Sequence, residues 1–250
     1  VKCLAIIPAY NEEATVASVV GELDAYAPEF DVVVVDDGST DRTARVALAT
    51  KARVIRLPFN LGIGGAMQTG YRYAAEHGYD VAVQVDADGQ HDPRTLRLLS
   101  QVLDERPDVG MVVGSRFADG SQEGFRSSAA RRVGIRLFSA LLSHIVGDEV
   151  TDPTSGLRMV RRAGIELFAR DYPHDYPEVE AIVMLHAHRL TALEVPVVMR
   201  DRQGGESSIN ATQSVYYMVK VTLAVLIGLA RRRPVVDLGD ASPVHAEHAL

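Results

Sequence analysis

The sequence predicts an α/β fold, with a mainly parallel central sheet covered by helices on both faces. Two observations lead there. Short β-branched runs alternate with helical patterns through roughly the first 114 residues. Those runs are near-continuous in Val and Ile, as in parallel strands buried on both sides. Strands are expected at 2–7, 31–36, 53–57, 81–86 and 110–114, and helices near 12–26, 41–50, 63–77 and 93–105. Asp41, and Asp92 or Pro93, mark helix starts.

The pattern changes after residue 114. Residues 115–130 are polar and rich in Gly and Ser, which predicts a mobile loop. A helix over 128–146 carries Arg131, Arg132 and Arg136 among Leu137, Phe138, Leu141, Leu142 and Ile145. A polar turn at 152–156, a strand at 157–161, a helix near 178–190 and a strand at 193–199 follow. Residues 200–208 are polar, and a last helix is expected over 210–231. The segment 231–250 reads as a flexible tail behind a single domain over 1–230.

At 250 residues the chain can bury a full core, and 47% hydrophobic with 24% charged residues is ordinary for a globular protein. A net charge of −7 offers no global basic field for nucleic acid. Cys3 is the only cysteine, so neither a disulfide framework nor a Cys-based zinc site can form within one chain. No signal peptide is expected ahead of the first strand. Residues 214–230 are strongly apolar, yet they fall short of the ~20 residues of a spanning helix and contain Lys220. A core helix and a helix lying on a membrane, with Arg231, Arg232 and Arg233 at the headgroups, fit about equally well.

The run Val81-Ala-Val-Gln-Val-Asp86-Ala-Asp88-Gly-Gln90-His-Asp is the most informative stretch. Period-two alternation puts Asp86 and Asp88 on one side of an extended backbone. Two carboxylates and an amide oxygen suit a hard divalent cation, which could in turn hold a diphosphate. A strand ending in an ordinary polar turn explains the same residues. Pro8-Ala-Tyr-Asn-Glu-Glu13 ends the first strand without the glycines that a Rossmann dinucleotide site needs there. It can equally start a helix with Asn11 as N-cap. Asp36-Asp37-Gly-Ser-Thr-Asp41 ends the second strand, where Asp37 could accept from a nucleobase N–H or shape a turn. Asn60-Leu-Gly62-Ile-Gly64-Gly65 lacks the ending of a P-loop and reads better as close helix–sheet packing. His91 stands where an EF-hand needs glycine, and the zincin and Gly-x-Ser-x-Gly signatures are absent.

These motifs, with Gly114-Ser-Arg-Phe, Asp152-x-Thr-Ser-Gly-x-Arg158, Glu194-Val-Pro-Val and Arg202-x-Gly-x-x-Ser-Ser, resemble the GT-A glycosyltransferases of family 2. The likeness is strongest to the dolichol- and polyprenyl-phosphate mannose or glucose synthases, over about residues 3–210. The resemblance implies a GT-A, Rossmann-like single catalytic domain, with a nucleotide-sugar half over 1–114 and an acceptor half over 115–230. It implies that Pro8, Ala9, Tyr10, Glu12, Asp37, Asp86 and Ala87 line the nucleotide. Asp88 and Gln90, with Asp86, would hold Mg²⁺ or Mn²⁺ against the diphosphate of a GDP- or UDP-sugar. Arg116, Arg131 and Arg202, with help from Ser155, would face the acceptor phosphate. Ile135 stands near a place where this group often has a small polar residue.

The implied activity is metal-dependent, inverting transfer of a sugar to a polyprenyl phosphate, at the cytoplasmic face of a membrane and without nucleic acid. Self-association is compatible with it. A hydroxyl acceptor is the alternative, with Glu178 or Glu180 as base; helix-start charges explain those residues as well. A sugar nucleotidyltransferase is more remote, because it usually has a glycine-rich basic loop after the first strand. A non-catalytic nucleotide-sugar binder would lack the metal ligands present here.

Overall fold

The computed structural model describes residues 1–118, 129–147, 149–174 and 176–200, with 129–137 followed through the backbone. Its centre is one seven-stranded sheet: β1 (Cys3–Ala9), β2 (Phe30–Asp36), β3 (Arg53–Arg56), β4 (Val81–Gln84), β5 (Val109–Ser115), β6 (Arg158–Arg161) and β7 (Thr191–Pro196). The spatial order is β3-β2-β1-β4-β6-β5-β7. β6 pairs antiparallel with both neighbours, and every other pairing is parallel. The predicted mainly parallel sheet is therefore present, with one reversed strand.

Helices α1 (Val16–Tyr26), α2 (Thr43–Leu48) and α4 (Thr95–Glu105) supply apolar side chains on one face of the sheet. α3 (Gly62–Glu76), α5 (Ala129–Val146), α6 (Arg162–Arg170) and α7 (Pro177–Ala187) supply the other. The alternation of strand side chains feeds both layers: Leu4 and Ile6 of β1 join the α3 side, and Ala5 and Ile7 join the α1 side. Each helix docks by its apolar stripe, as with Leu96, Leu99 and Leu103 of α4.

Three expectations change. α1 starts at Val16 rather than near residue 12, and Asn11 is not its N-cap. Asn11 adopts φ +56 and gives its side-chain oxygen to the Thr40 N–H at 2.9 Å. α6 follows β6 with no linker and was not expected. Its apolar residues Ile165, Leu167 and Phe168 span little more than one turn, too short a pattern to reveal a helix. The glycine-rich stretch packs differently from expectation as well. A Cβ on Gly64 would lie 2.4 Å from the Pro173 carbonyl oxygen, so this glycine admits a loop. Contact with the sheet falls to Gly70, where a Cβ would lie 2.3 Å from Ile6. The helix expected over 210–231 and the tail lie outside the described residues.

Candidate active site

The carboxyl ends of the parallel strands share one edge of the sheet. The chain steps from β1 to β2 and β3 on one side, then returns to place β4 on the other. Such a switch point opens a crevice between the loops beyond the strands, where α/β sheets bind ligands. Ala9 and the Asp86–Asp88 stretch flank it.

On the β1–β2 side, Ala9 pairs with Asp36, and the Asp37 N–H donates to the Ala9 carbonyl at 2.8 Å. Pro8 and Ala9 are buried and Tyr10 is exposed. Two cross-links sew the following loops together. Asn11 N–H donates to Ser39 Oγ at 3.0 Å, and Glu12 N–H donates to Thr43 Oγ1 at 2.8 Å. Glu12 Oε2 accepts from Thr15 Oγ1. Asp41 accepts from Thr43 N–H at the start of α2, as expected of it.

Asp37 is 4% exposed, and its Oδ1 accepts the Leu61 N–H at 2.7 Å. Burial pushes its carboxyl above the usual range, while the Leu61 and Gly62 amides oppose that. Gly38 follows at φ +69, and a Cβ there would lie 2.6 Å from the Phe59 carbonyl carbon. Asp37 thus anchors the loop before α3 while sitting at the mouth of the crevice.

β4 ends at Gln84, so Asp86 lies just beyond the strand and Asp88 in the turn that follows it. Their relation is set by that turn. Asp88 Oδ1 accepts the Gln90 N–H at 3.1 Å, and Gly89 takes φ +77. Asp86 is held from three directions. Its N–H donates to His91 Nδ1 at 3.0 Å, and its Oδ1 accepts from Gln84 Nε2 at 3.0 Å. Gly156 closes the third side, where a Cβ would lie 2.8 Å from Asp86 Oδ2. Ala87 is buried between the two carboxylates.

No cluster of three or more His, Cys, Asp or Glu side chains suited to a metal occurs among the described residues. Asp86, Asp88 and Gln90 carry carboxylate and amide oxygens, the hard donor type that a divalent cation takes. Mg²⁺ and similar ions are commonly held that way, with one or two carboxylates and the remaining positions left to water and substrate phosphate. The residues fit such an ion.

Beyond β5, Arg116 is bound by Asp152. Its Nε reaches Asp152 Oδ2 at 2.7 Å and its Nη2 reaches Oδ1 at 2.7 Å. Asp152 is fully buried, and Glu194 anchors its turn by accepting the Thr151 and Asp152 N–H groups. Ser155 is buried, and its hydroxyl donates to the Gly114 carbonyl at 2.5 Å. Arg131 lies on α5, and Arg202 lies outside the described residues. Glu178 and Glu180 sit in the first turn of α7. Burial pushes the Glu178 carboxyl up, Arg158 opposes this, and the charge of Asp86 adds to it. Glu178 is half-buried.

Sequence reasoning assigned no role to Asp152, His91 or Arg158. All three stand inside the quoted motifs, but only the folded chain shows what they hold.

Residues 4–168 match the family described as Glycosyl transferase family 2. The chain belongs to glycosyltransferase family 2. It is 33% identical over 219 residues to an undecaprenyl-phosphate mannosyltransferase of Micrococcus luteus, covering 84% of this chain and 88% of that one. It is 30% identical over 230 residues to a polyprenol monophosphomannose synthase of Mycolicibacterium smegmatis, covering 88% and 85%. A UDP-N-acetylglucosamine–dolichyl-phosphate N-acetylglucosaminyltransferase of Methanococcus voltae is 30% identical, covering 77% and 83%. Among solved structures, glucosyl-3-phosphoglycerate synthase from Mycobacterium tuberculosis, in complex with Mg²⁺ and uridine diphosphate, superposes with a TM-score of 0.64. That alignment covers 91% of this chain and 78% of that one, at 22% identity. The fold is GT-A, and the family 2 member described here is a glycosyltransferase.

Proposed function

We propose that this glycosyltransferase moves a sugar, with inversion, from a nucleotide-diphosphate sugar to a polyprenyl phosphate. The observation that carries the donor half is the meeting of Ala9, Asp37 and the Asp86–Gln90 turn at one switch point. Ala9, Tyr10, Glu12 and Asp37 would line the nucleoside, with Pro8 beneath and Ala87 beside it. Asp86, Asp88 and Gln90 would hold Mg²⁺ or Mn²⁺. When bound, the metal supplies charge stabilisation to the departing diphosphate.

Support for the acceptor comes from the relatives, which include two transferases named for lipid-phosphate acceptors and a polyprenol monophosphomannose synthase. A lipid phosphate is anionic near neutral pH and can attack the sugar C1 without a strong base. The chain then has to hold the phosphate in line. Arg116, Arg131 and Arg202 are the candidates, with Ser155 shaping the turn beside them. Arg116 is already matched by Asp152, so Arg131 and Arg202 would carry more of the positive charge. Arg202 stands two residues after Arg200, whose N–H donates to the Gln90 carbonyl at 2.9 Å. We place the activity peripherally at the cytoplasmic face of a membrane, in one catalytic unit over 1–230. No helix among the described residues is long and apolar enough to cross a membrane.

One observation favours a second reading. Glu178 carries a carboxyl raised by burial, in the electrostatic reach of Asp86. A hydroxyl acceptor would need such a base. A matrix of labelled GDP- and UDP-sugars against polyprenyl phosphate, 3-phosphoglycerate and a free sugar, with and without chelator, separates the two. We expect transfer to polyprenyl phosphate that stops with chelator and falls in Arg202→Ala through a higher acceptor KM. Transfer to a hydroxyl acceptor alone, lost in Glu178→Gln, would refute the lipid-phosphate reading.

A further inference from the structure

Arg158 opens β6 and is 1% exposed, one of the largest fully buried side chains described. Among the described residues its guanidinium donates to backbone carbonyls: Nε to Ser155 at 2.7 Å and Nη2 to Pro153 at 3.2 Å. Nη1 is buried with no hydrogen-bond partner among the described residues. Burying a guanidinium on these terms is unfavourable, because one of its amino groups is desolvated without a hydrogen bond in return. Such a group in a native fold calls for an explanation.

Its surroundings supply one. In the sheet register Arg158 lies opposite Gln84, the residue whose amide donates to Asp86 Oδ1. The turn that Arg158 grips contains Gly156, which packs on Asp86, and begins with Asp152, which binds Arg116. The guanidinium also offsets the charge of Asp86 at Glu178 and at Tyr172.

We infer that Arg158 is a positioning residue for the transfer site: its buried guanidinium pins the turn at 153–156 against Asp86, and so places Asp86 on one side and the Asp152–Arg116 pair on the other. Lysine keeps the charge and can reach a carbonyl. Methionine fills the volume and does neither. The grip on the turn rests on geometry alone, whereas its effect on metal and diphosphate rests on the function proposed above.

The test uses the full chain as parent, Arg158→Met and Arg158→Lys. Circular dichroism reports folding, and amide hydrogen exchange reports the peptides covering 84–88 and 151–157. Electron paramagnetic resonance reports Mn²⁺ binding in the presence of GDP or UDP. Loss of an outer partner typically weakens metal binding about 10- to 100-fold. We expect that loss in Arg158→Met, with faster exchange confined to the two peptides. Arg158→Lys should recover most of both. Unchanged exchange in folded Arg158→Met would overturn the clamp. Faster exchange with parental Mn²⁺ affinity would reduce Arg158 to a structural residue and overturn its role at the site. Should the parent itself bind no Mn²⁺ with either nucleotide, the metal reading of the function falls. Exchange at 84–88 then decides the clamp by itself. Should Arg158→Met not fold, Arg158→Gln replaces it under the same criteria.

Discussion

Replacing Asp37 separates its two duties, because the structure assigns them to different properties of the carboxylate. Oδ1 accepts the Leu61 N–H at 2.7 Å, inside a side chain that is 4% exposed. Asparagine keeps an oxygen for that amide and loses the charge. Alanine loses both. A buried amide left without its acceptor costs about 1–3 kcal/mol, or roughly 2–12 °C in Tm for a chain of this size. That loss should appear in Asp37→Ala and be largely absent in Asp37→Asn. A hydrogen bond from a ligand N–H to a charged carboxylate is worth about 1.5–3 kcal/mol, roughly tenfold to 150-fold in affinity. That loss should appear in both variants. A base contact remote from C1 acts alike in ground and transition states, so donor KM should rise more than kcat falls. Thermal unfolding and initial rates over a donor titration measure the two effects. A parental donor KM in Asp37→Asn would refute the nucleotide role and leave Asp37 as the anchor of Leu61.

Asp88→Ala should lower transfer at least roughly a hundredfold, as removal of a metal ligand does. Loss of the Gln90 N–H contact should cost about 1 kcal/mol of stability; activity near the parent would remove the metal assignment. Asp152→Ala breaks a two-point pair whose carboxylate is fully buried while Arg116 is 22% exposed. We expect about 3 kcal/mol of destabilisation, the lower end for such pairs, and an unchanged urea midpoint would contradict it. Asp92 is held to about 2, first by Arg94 and then by Arg200. A lowered carboxylate stabilises the fold above its unfolded value near ~3.9, and loses that contribution as pH falls through about 2. The stability gap between parent and Asp92→Asn should therefore shrink by about 2 kcal/mol between pH 5 and pH 2, and a constant gap would count against the ion pairs.

The sequence by itself determined the fold class and most elements, because strand burial and helix amphipathicity are written in local periodicity. The apolar runs over 31–36 and 81–86 read as buried strands, and the carboxylates at their ends then emerge at an edge of the sheet. Family membership was legible for a related reason: the motifs keep their order and spacing along the chain. Direction and pairing were not legible. Nothing local in Arg158–Arg161 shows that β6 runs against its neighbours, since reversal is set by which strands it finds. The same holds for the partners of the site. Asp152 and Arg116 are 36 residues apart, and Asp37 and Leu61 are 24 apart. The arginines chosen by sequence for an anion were chosen by type, and type does not reveal that Arg116 has a carboxylate of its own. Only tertiary structure could decide this, because charge compensation depends on distance in space. For the same reason Arg158 reads in the sequence as one more motif residue, and only the fold sets it apart, fully buried and with no partner for Nη1 among the described residues.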